Sequence, residues 1–217
     1  MKTDKDQIVA AALILLNERG LEGLTTRALA ERLGIKQPAL YWHFKDRRAL
    51  LDAMNAAIEA DFNAAAPPPA AMAWQDYVFQ MGRDFRSALM AYRDGARVHA
   101  GTRANRAQLE RHMAVLVRNG LPIPLSVQLL VSVGRFVVGW VLEEQAEASL
   151  LPGVLPIPPA DRGSLAGQTI RTFFDMGDQA AFEAGLKMLI AGAEHASEAE
   201  RTGKTHHTQM KPAADSP

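Results

Sequence analysis

The feature that most constrains this fold is a helical repeat of apolar residues that runs through most of the chain. No segment shows sustained alternation with a period of two, which a half-buried strand would require. About ten helices fit between the Gly and Pro breaks, so the sequence predicts an all-α fold. The repeat is clearest in two stripes: Ile8, Ala11, Ala12, Leu15 and Leu16, and then Phe85, Leu89 and Tyr92.

Composition narrows the class of protein. The chain has 217 residues, of which 48% are hydrophobic, enough for a core of ordinary size. It has no run of about twenty uninterrupted apolar residues and no secretory pattern at its start, so we expect a cytoplasmic protein. The absence of cysteine excludes disulfide frameworks, thiolate nucleophiles and zinc-cysteine sites.

Two proline-rich segments divide the chain. Residues 64–73 contain three consecutive prolines, which cannot continue a helix and predict a stiff connection. We therefore expect an N-terminal unit over 1–46, a connecting helix over 47–66 and a larger unit over 67–196. Within the larger unit, residues 151–163 read as a long loop. Residues 197–217 are polar and aperiodic, which predicts a disordered tail.

The net charge is zero, which by itself argues against a nucleic-acid partner. The charge is nevertheless uneven: residues 25–48 contain six Lys and Arg against two Asp and Glu, so six minus two gives +4. This basic patch suits a phosphate backbone, although a solvated charged face fits the charge equally well.

The same segment predicts a helix-turn-helix from Thr26 to His43. A threonine hydroxyl before RALAERL can cap a helix start, and Gly34 then supplies the turn. The next short helix has Pro38 in its first turn and Leu40 as an inward anchor. Two short helices around a glycine-containing turn form the motif.

The second helix of such a motif lies in the major groove, where its first residues meet base edges. Gln37 can pair with adenine, and Ala39 or Pro38 can touch a thymine methyl; Arg27 can reach guanine. Hydroxyl, imidazole and basic side chains suit phosphates. Tyr41 and Trp42 are alternatively core aromatics, an interpretation we favour for Trp42. The candidate DNA-contacting set is Thr25, Thr26, Arg27, Gln37, Pro38, Ala39, Tyr41, Trp42, His43 and Arg47.

LTTRALAERLGIKQPALYWHFKDRRALLDA, at 24–53, resembles the DNA-binding head of the TetR family. The resemblance continues through WQDY at 74–77, YRDGARVHAGTR at 92–103, GWVLEEQ at 139–145 and AFEAGL at 181–186. The RDGA-x-VH-x-GTR block is typical of the ligand-binding core of the tetracycline-responsive branch. This resemblance implies a homodimeric repressor, not an enzyme, with a DNA-binding head over 1–46 and a ligand-binding and dimerisation domain over 67–196. It also implies release from the operator by a Mg²⁺-chelated, tetracycline-like molecule.

Taken alone, His99 is a histidine at a helix end followed by a turn, which is commonly structural. The resemblance implies that His99 binds Mg²⁺ directly, and that Thr102 and the partner subunit's Glu143 hold metal-bound waters. Mg²⁺ keeps several waters and takes few protein ligands, so this set is chemically coherent. Glu143 lies in an apolar run, where a cation-bound water would compensate a buried carboxylate. Glu144 beside it is expected to be exposed.

The polar end of the site departs from the family pattern. Where the family carries histidine, asparagine and glutamine, this chain has Asn63, Met81 and His112. Met81 offers no useful hydrogen bond, so the metal end is preserved and the specificity end is altered. The candidate ligand-contacting set is Asn63, Met81, Phe85, His99, Thr102, Arg103, His112 and Glu143. Candidate apolar walls, equally consistent with plain core, are Phe85, Val115, Leu116, Leu129, Val133 and Phe136.

The resemblance assigns helices 124–148 and 178–196 to a dimeric four-helix bundle, with intrachain packing as the alternative. Their small residues allow close approach: Gly134, Gly139, Gly185, Ala191, Gly192 and Ala193. A two-fold dimer predicts a palindromic operator with half-sites roughly 34 to 36 Å apart, or a multiple of it. We expect ligand binding at His99 to displace the turn at 100–104 and to swing the connecting helix.

Three rival functions remain at this point. A hydrolase or transferase lacks a phosphate loop, a nucleophile elbow and an HExxH helix. A general DNA-coating protein predicts sequence-independent, strongly salt-dependent binding. A repressor of the same fold with a different hydrophobic or chelating ligand is suggested by Met81 and His112.

Overall fold

The computed structural model describes residues 4–60, 62, 71–102, 106–150 and 163–209, without the side chains of 149–150 and 203–209. Nine α-helices and one 3₁₀ helix have both ends within these ranges, and no residue of these ranges lies in a strand, which confirms the all-α prediction. The elements are α1 Lys5–Gly23, α2 Thr26–Leu33, a 3₁₀ helix Gln37–Trp42, α3 Arg47–Ile58, α4 Trp74–Met90, α5 Gly95–Ala100, α6 Arg106–Arg118, α7 Ile123–Leu150, α8 Leu165–Met176 and α9 Asp178–Gln209.

The head is formed by α1, α2, the 3₁₀ helix and the start of α3. The Thr25 hydroxyl accepts a hydrogen bond from the Ala28 amide at 3.1 Å and so caps α2, as the sequence predicts. Gly34 ends α2 in the left-handed region with φ 65°. Leu40 is 4% exposed and anchors the 3₁₀ helix against the head. The predicted turn and its anchor are therefore in place.

The connecting helix is shorter than the sequence predicts. Asp46 caps α3, which ends at Ile58, where Glu59 leaves the helical geometry with φ −90° and ψ 3°. Ala60 and Phe62 are again helical, and the other residues of 61–66 lie outside the described ranges. The helix from the head therefore ends at a buried glutamate rather than running unbroken to 66.

The core is built around α7, which packs against α4, α5, α6 and α9. Val133, Val137 and Val141 are fully buried on one face of α7. Among the described residues, α7 is the one helix that is long and apolar enough to cross a membrane. The central helix of a helical core can have the same length and composition, and the buried valine face identifies α7 as such a helix.

The last helix runs beyond its predicted end. The prediction of a disordered tail from 197 is wrong for residues 197–209, because α9 extends to Gln209. Its inner face continues past 196, with Ala193 and Ser197 both 8% exposed at an i, i+4 spacing. Residues 210–217, like the predicted loop at 151–162, lie outside the described ranges.

Candidate functional site

The predicted DNA-contacting surface is largely open to solvent. Tyr41 is 53% exposed and Trp42 is 88% exposed, so the assignment of Trp42 to the core is wrong. The reason is local: Leu40 and Phe44 turn inward at 4% and 7% exposure, which leaves the residues between them outside. Of the ten predicted residues, the seven exposed ones are Thr25, Arg27, Gln37, Pro38, Tyr41, Trp42 and Arg47, and the three half-buried ones are Thr26, Ala39 and His43.

Hydrogen bonds hold several of these side chains in place. Gln37 Nε2 donates to Thr26 Oγ1 at 2.8 Å, so the predicted reader is oriented by α2. Arg27 Nε donates to Glu31 at 2.9 Å in an ion pair that is well exposed, and such a pair contributes little stability. Arg47 donates to the Leu21 carbonyl at 3.1 Å. The Arg27 side chain can therefore leave Glu31 at small cost, whereas Arg47 helps to pack the head.

A buried polar cluster surrounds His99, which lies in the last turn of α5 as predicted. His99 Nδ1 is 2.7 Å from Oε1 of Glu59, a carboxylate that is only 2% exposed. Asn55 Nδ2 donates to the same oxygen at 2.9 Å. The Thr102 hydroxyl donates to the His99 carbonyl at 2.7 Å, so it secures the turn. The cluster thus joins the end of α3 to the end of α5.

Aromatic rings form the adjoining wall. The Phe85 ring meets His99 edge-on at 5.0 Å between centroids, and Phe62 stacks on Phe85 at 5.7 Å and on His112 at 5.9 Å. The Tyr77 hydroxyl is 2.5 Å from His112 Nδ1. The structure therefore brings Phe85, His99 and His112 to one place.

Burial controls the ionisation of this wall. It lowers the pKa of His112 to about 4, with a further lowering by Arg111 and a small opposing effect of Glu59. Burial also raises the pKa of Tyr77. His112 is therefore a neutral hydrogen-bonding group near pH 7. Met81 is half-buried against the core, and Asn63 and Arg103 lie outside the described residues.

The two neighbouring glutamates of α7 have the opposite environments from those predicted. Glu144 is 11% exposed and forms a two-point ion pair with Arg86, with Nε to Oε2 at 3.1 Å. Glu143 is exposed in the single chain. The reason is helical phase: Val137, Val141 and Glu144 follow an i, i+4, i+7 spacing on the inner face, and Glu143 points about 100° away.

The apolar candidates are mostly plain core. Val115, Leu116, Leu129 and Val133 are between 0% and 5% exposed. The Phe136 ring stacks on Phe182 of α9 at 5.4 Å. Phe85 differs in that its ring meets the His99 ring edge-on.

The residues around His99 fit a magnesium ion that takes most of its ligands from a bound molecule and water. The described residues contain no group of three His, Cys, Asp or Glu arranged to hold a metal. Mg²⁺ with a chelating ligand needs only one or two protein ligands, however. His99, with Nδ1 already bonded, has Nε2 left for such a role, and the described residues offer no metal cage of their own.

The RDGA part of the recognised block joins the head to the core. Asp94, with φ 57°, accepts a hydrogen bond from the Leu21 amide of α1 at 2.7 Å. A Cβ on Gly95 would lie 2.1 Å from the Leu89 carbonyl oxygen, so the turn requires glycine. Gln145 of α7 donates to the carbonyl oxygens of Leu89 and Tyr92 at 3.2 and 2.9 Å. One end of α5 is thus fixed to the head and its other end carries His99.

The sequence prediction missed the Glu59, Asn55 and Arg86 side chains. A signal for the first two was present, since Leu51, Asn55 and Glu59 follow one i, i+4 strip beside the buried strip of α3. The burial of Glu144 was predictable, because it continues the helical spacing of the buried residues Val137 and Val141 on α7. No local signal pairs Arg86 with a residue 58 positions away.

Two family profiles match the chain. "Bacterial regulatory proteins, tetR family" covers residues 8–54, and "Tetracyclin repressor-like, C-terminal domain" covers residues 66–151. The matches therefore include the head and the part of the core that holds His99.

Individual proteins agree with these profiles. The chain is 43% identical over 197 residues to the tetracycline repressor protein class A from transposon 1721 of Escherichia coli, covering 88% of this chain and 90% of the relative. Among solved structures, TetR from Acinetobacter baumannii AYE is 42% identical with a TM-score of 0.74, covering 90% of this chain and 99% of that one. TetR class A in complex with 5a,6-anhydrotetracycline and magnesium is 39% identical with a TM-score of 0.68, covering 89% and 99%.

Proposed function

Because the chain belongs to the TetR family of bacterial transcriptional repressors, we propose that it is a cytoplasmic homodimer that leaves a palindromic operator when a Mg²⁺-chelated, tetracycline-like molecule binds its core. The observation that carries the proposal is the placement of His99, presented on the last turn of α5 beside Phe85 and joined to α3 through Glu59. Thr102 and the partner's Glu143 are proposed to hold metal-bound waters.

DNA reading is assigned to the exposed face of the head. Gln37 and Arg27 contact base edges, Pro38 and Ala39 contact methyl groups, and the surrounding hydroxyl, aromatic and basic side chains contact phosphates. The exposure of Gln37 and Arg27, together with the +4 charge of residues 25–48, supports this assignment.

Exposed apolar faces on α7 and α9 support dimerisation. Val127 and Val131 are each 45% exposed and Met188 is 71% exposed. A Cβ on Gly134 or Gly192 would meet no atom within 4 Å, so both glycines are open to a partner helix. Apolar faces of this kind are typical of subunit interfaces.

Not every small residue of these helices serves the same purpose. A Cβ on Gly185 would lie 2.7 Å from the Phe136 ring, and Ala193 is buried within the chain. The intrachain alternative therefore holds for these two positions, and the dimer proposal rests on the open ones.

The coupling between ligand and DNA runs through α5. Its start is held to α1 by Asp94, and its end is held to α3 by His99 and Glu59. A ligand that displaces the end of α5 shifts α3 and with it the separation of the two heads. The ligand changes the head spacing only by as much as it binds one arrangement better than the other.

Operator release tests the proposal. Purified protein on a labelled operator is titrated with Mg²⁺ and a panel of tetracyclines, with non-chelating hydrophobic molecules as the control. Release only by chelators in the presence of Mg²⁺ supports the proposal, and His99→Ala is expected to abolish release while operator binding remains. Normal induction of the His99→Ala protein contradicts the mechanism.

A second candidate ligand class is favoured by Met81 and His112. Met81 is half-buried among apolar neighbours, and the hydroxyl of Tyr77 pairs with His112 Nδ1. A pocket with few free polar groups at this end leaves the polar groups of a bound ligand without partners, at a cost of about 1 to 3 kcal/mol for each buried group. Such a pocket selects a ligand that is less polar at the end that lies near Met81 and His112. Release by a hydrophobic member of the panel without Mg²⁺ would identify this alternative.

A further inference from the structure

We propose that Glu59 is the positioning residue for His99: its carboxylate fixes the imidazole so that Nε2, and no other nitrogen, is presented to the Mg²⁺–inducer complex. This inference rests on the proposed function for the identity of the complex, and on the geometry of the cluster for the orientation of the ring. Glu59 belongs to the end of α3, so the positioning group is supplied by the helix that leads to the DNA-binding head.

Hydrogen-bond chemistry determines the tautomer. Glu59 Oε1 accepts from Asn55 Nδ2 at 2.9 Å and lies 2.7 Å from His99 Nδ1. A carboxylate oxygen has no hydrogen to donate. The hydrogen in the bond between Glu59 Oε1 and His99 Nδ1 is therefore carried by Nδ1. With the hydrogen on Nδ1, Nε2 is the ring nitrogen that can offer a lone pair to a metal ion.

The position of the carboxylate excludes it from the metal's own ligand set. The two nitrogens lie on different edges of the imidazole ring, so a carboxylate bonded to Nδ1 stands behind the ring with respect to an ion at Nε2. The edge-on contact with Phe85 at 5.0 Å limits rotation of the same ring. A histidine whose second nitrogen is held by a carboxylate is a recurrent arrangement at metal sites, where it fixes the tautomer and raises ligand basicity.

The burial of Glu59 and Asn55 is unfavourable by itself, which indicates that this polar pair has a function. Glu59 is 2% exposed, and a carboxylate in such a place is costly unless it is hydrogen-bonded. The Oδ1 atom of Asn55 is itself buried without a hydrogen-bond partner among the described residues. Apolar side chains at both 55 and 59 would remove these two costs, so the polar pair is explained by what it does to His99.

The first experiment measures the Mg²⁺ dependence of inducer binding. The full-length protein is titrated with Mg²⁺ at a fixed concentration of anhydrotetracycline, and binding is followed by the fluorescence of that molecule. Glu59→Leu is expected to raise the Mg²⁺ concentration at half-saturation about 10- to 100-fold, the usual loss when an outer partner of a metal-binding histidine is removed. Glu59→Gln, which retains an accepting oxygen, is expected to restore most of the binding. Glu200→Gln, on the exposed face of α9, is the matched control and leaves the titration unchanged.

The second experiment needs no ligand. Long-range ¹⁵N NMR correlations of the free protein report which nitrogen of His99 carries the hydrogen. We expect the Nδ1–H tautomer in the wild-type protein and in Glu59→Gln, and loss of that preference in Glu59→Leu. If Glu59 has a merely structural role, its replacement leaves the His99 tautomer unchanged. If Glu59→Leu does not fold, the tautomers of His99 in the wild-type protein and in Glu59→Gln still test the proposal.

The outcomes separate the two proposals. If wild-type protein shows no Mg²⁺-dependent inducer binding, the proposed function fails and the tautomer decides the role of Glu59. If wild-type protein binds and Glu59→Leu binds equally well, the positioning role is wrong and the function stands. If Glu59→Gln loses binding as fully as Glu59→Leu, the carboxylate is a direct ligand and the positioning role is again overturned.

Discussion

The proposed DNA-reading face and the surroundings of His99 are built in different ways. Gln37 and Thr26, which form a hydrogen bond on the reading face, are 11 positions apart, and the face is open to solvent. The pairs around the core site join residues 35, 40 and 58 positions apart and are buried or half-buried. Substitutions on the reading face should therefore change DNA recognition alone, whereas substitutions in the core should also change the free energy of unfolding.

The largest expected effect is at the buried ion pair of α7. Glu144→Leu leaves the Arg86 guanidinium without its charged partner, and we expect the free energy of unfolding to fall by about 3 kcal/mol in urea denaturation. Glu143→Leu, one residue away and exposed, should change it by less than about 0.5 kcal/mol. The double variant Arg86→Met/Glu144→Leu should recover much of the loss. Equal effects at Glu143 and Glu144 would remove the contrast between them.

The two ends of α5 offer a sharper comparison. In Gly95→Ala the new methyl group meets the Leu89 carbonyl, and we expect a loss of about 2 to 3 kcal/mol of unfolding free energy. In Gly101→Ala the nearest atom is 3.5 Å away at a φ of −83°, so the loss should be below about 1 kcal/mol. Thermal unfolding of both variants checks the ranking. A tolerated Gly95→Ala would mean that the joint between head and core adapts easily.

The pH dependence of stability tests the aromatic wall. The pKa of His112 falls from 6.5 to about 4 on folding, so the unfolded chain binds a proton at higher pH than the folded one. The free energy of unfolding should therefore decrease as the pH falls from about 6.5 to about 4, by about 2 kcal/mol after allowance for partial exposure. His112→Gln should remove this part of the slope. A slope that persists in His112→Gln would assign it to the carboxyl groups instead.

The smallest effect on stability is expected on the reading face. Gln37→Ala should leave the unfolding free energy unchanged and reduce discrimination at one operator position by about 1 kcal/mol. Binding to a set of single-base operator variants measures this change. Lys36→Ala, an exposed neighbour, is the control and should weaken binding similarly on all sequences with a smaller dependence on salt. A Gln37→Ala protein that weakens binding uniformly would place Gln37 among the phosphate contacts.

The head was predictable because its signals are local. A hydroxyl before a helix, a glycine after it and one leucine in the next turn determine Thr25, Gly34 and Leu40, and the structure confirms all three. Trp42 was assigned to the core because aromatic residues are commonly buried. The inward turns of its neighbours decide otherwise, and composition carries no information about them.

The core was predictable in its helices and less so in its pairings. The apolar residues of α7 predict which face of the helix is buried, and their helical spacing places Glu144 on that face. Only the packing of the helices shows that Arg86 of α4 lies beside Glu144. The partner of His99 likewise depends on where α3 ends, and a helix end is among the least certain features of a sequence. Side-chain pairs between distant helices thus required the structure.

The double attachment of α5 bears on how such proteins can be recombined. A six-residue helix spans only about 9 Å. The start of α5 is fastened to Leu21 of the head, and its end is fastened to Glu59 at the end of α3. A head from another repressor, grafted at a boundary drawn by homology alone, would bring its own residues to both attachment points. A functional chimera should therefore carry Leu21, Asn55 and Glu59 together with the core they contact, so the natural unit of exchange is the head with its joint.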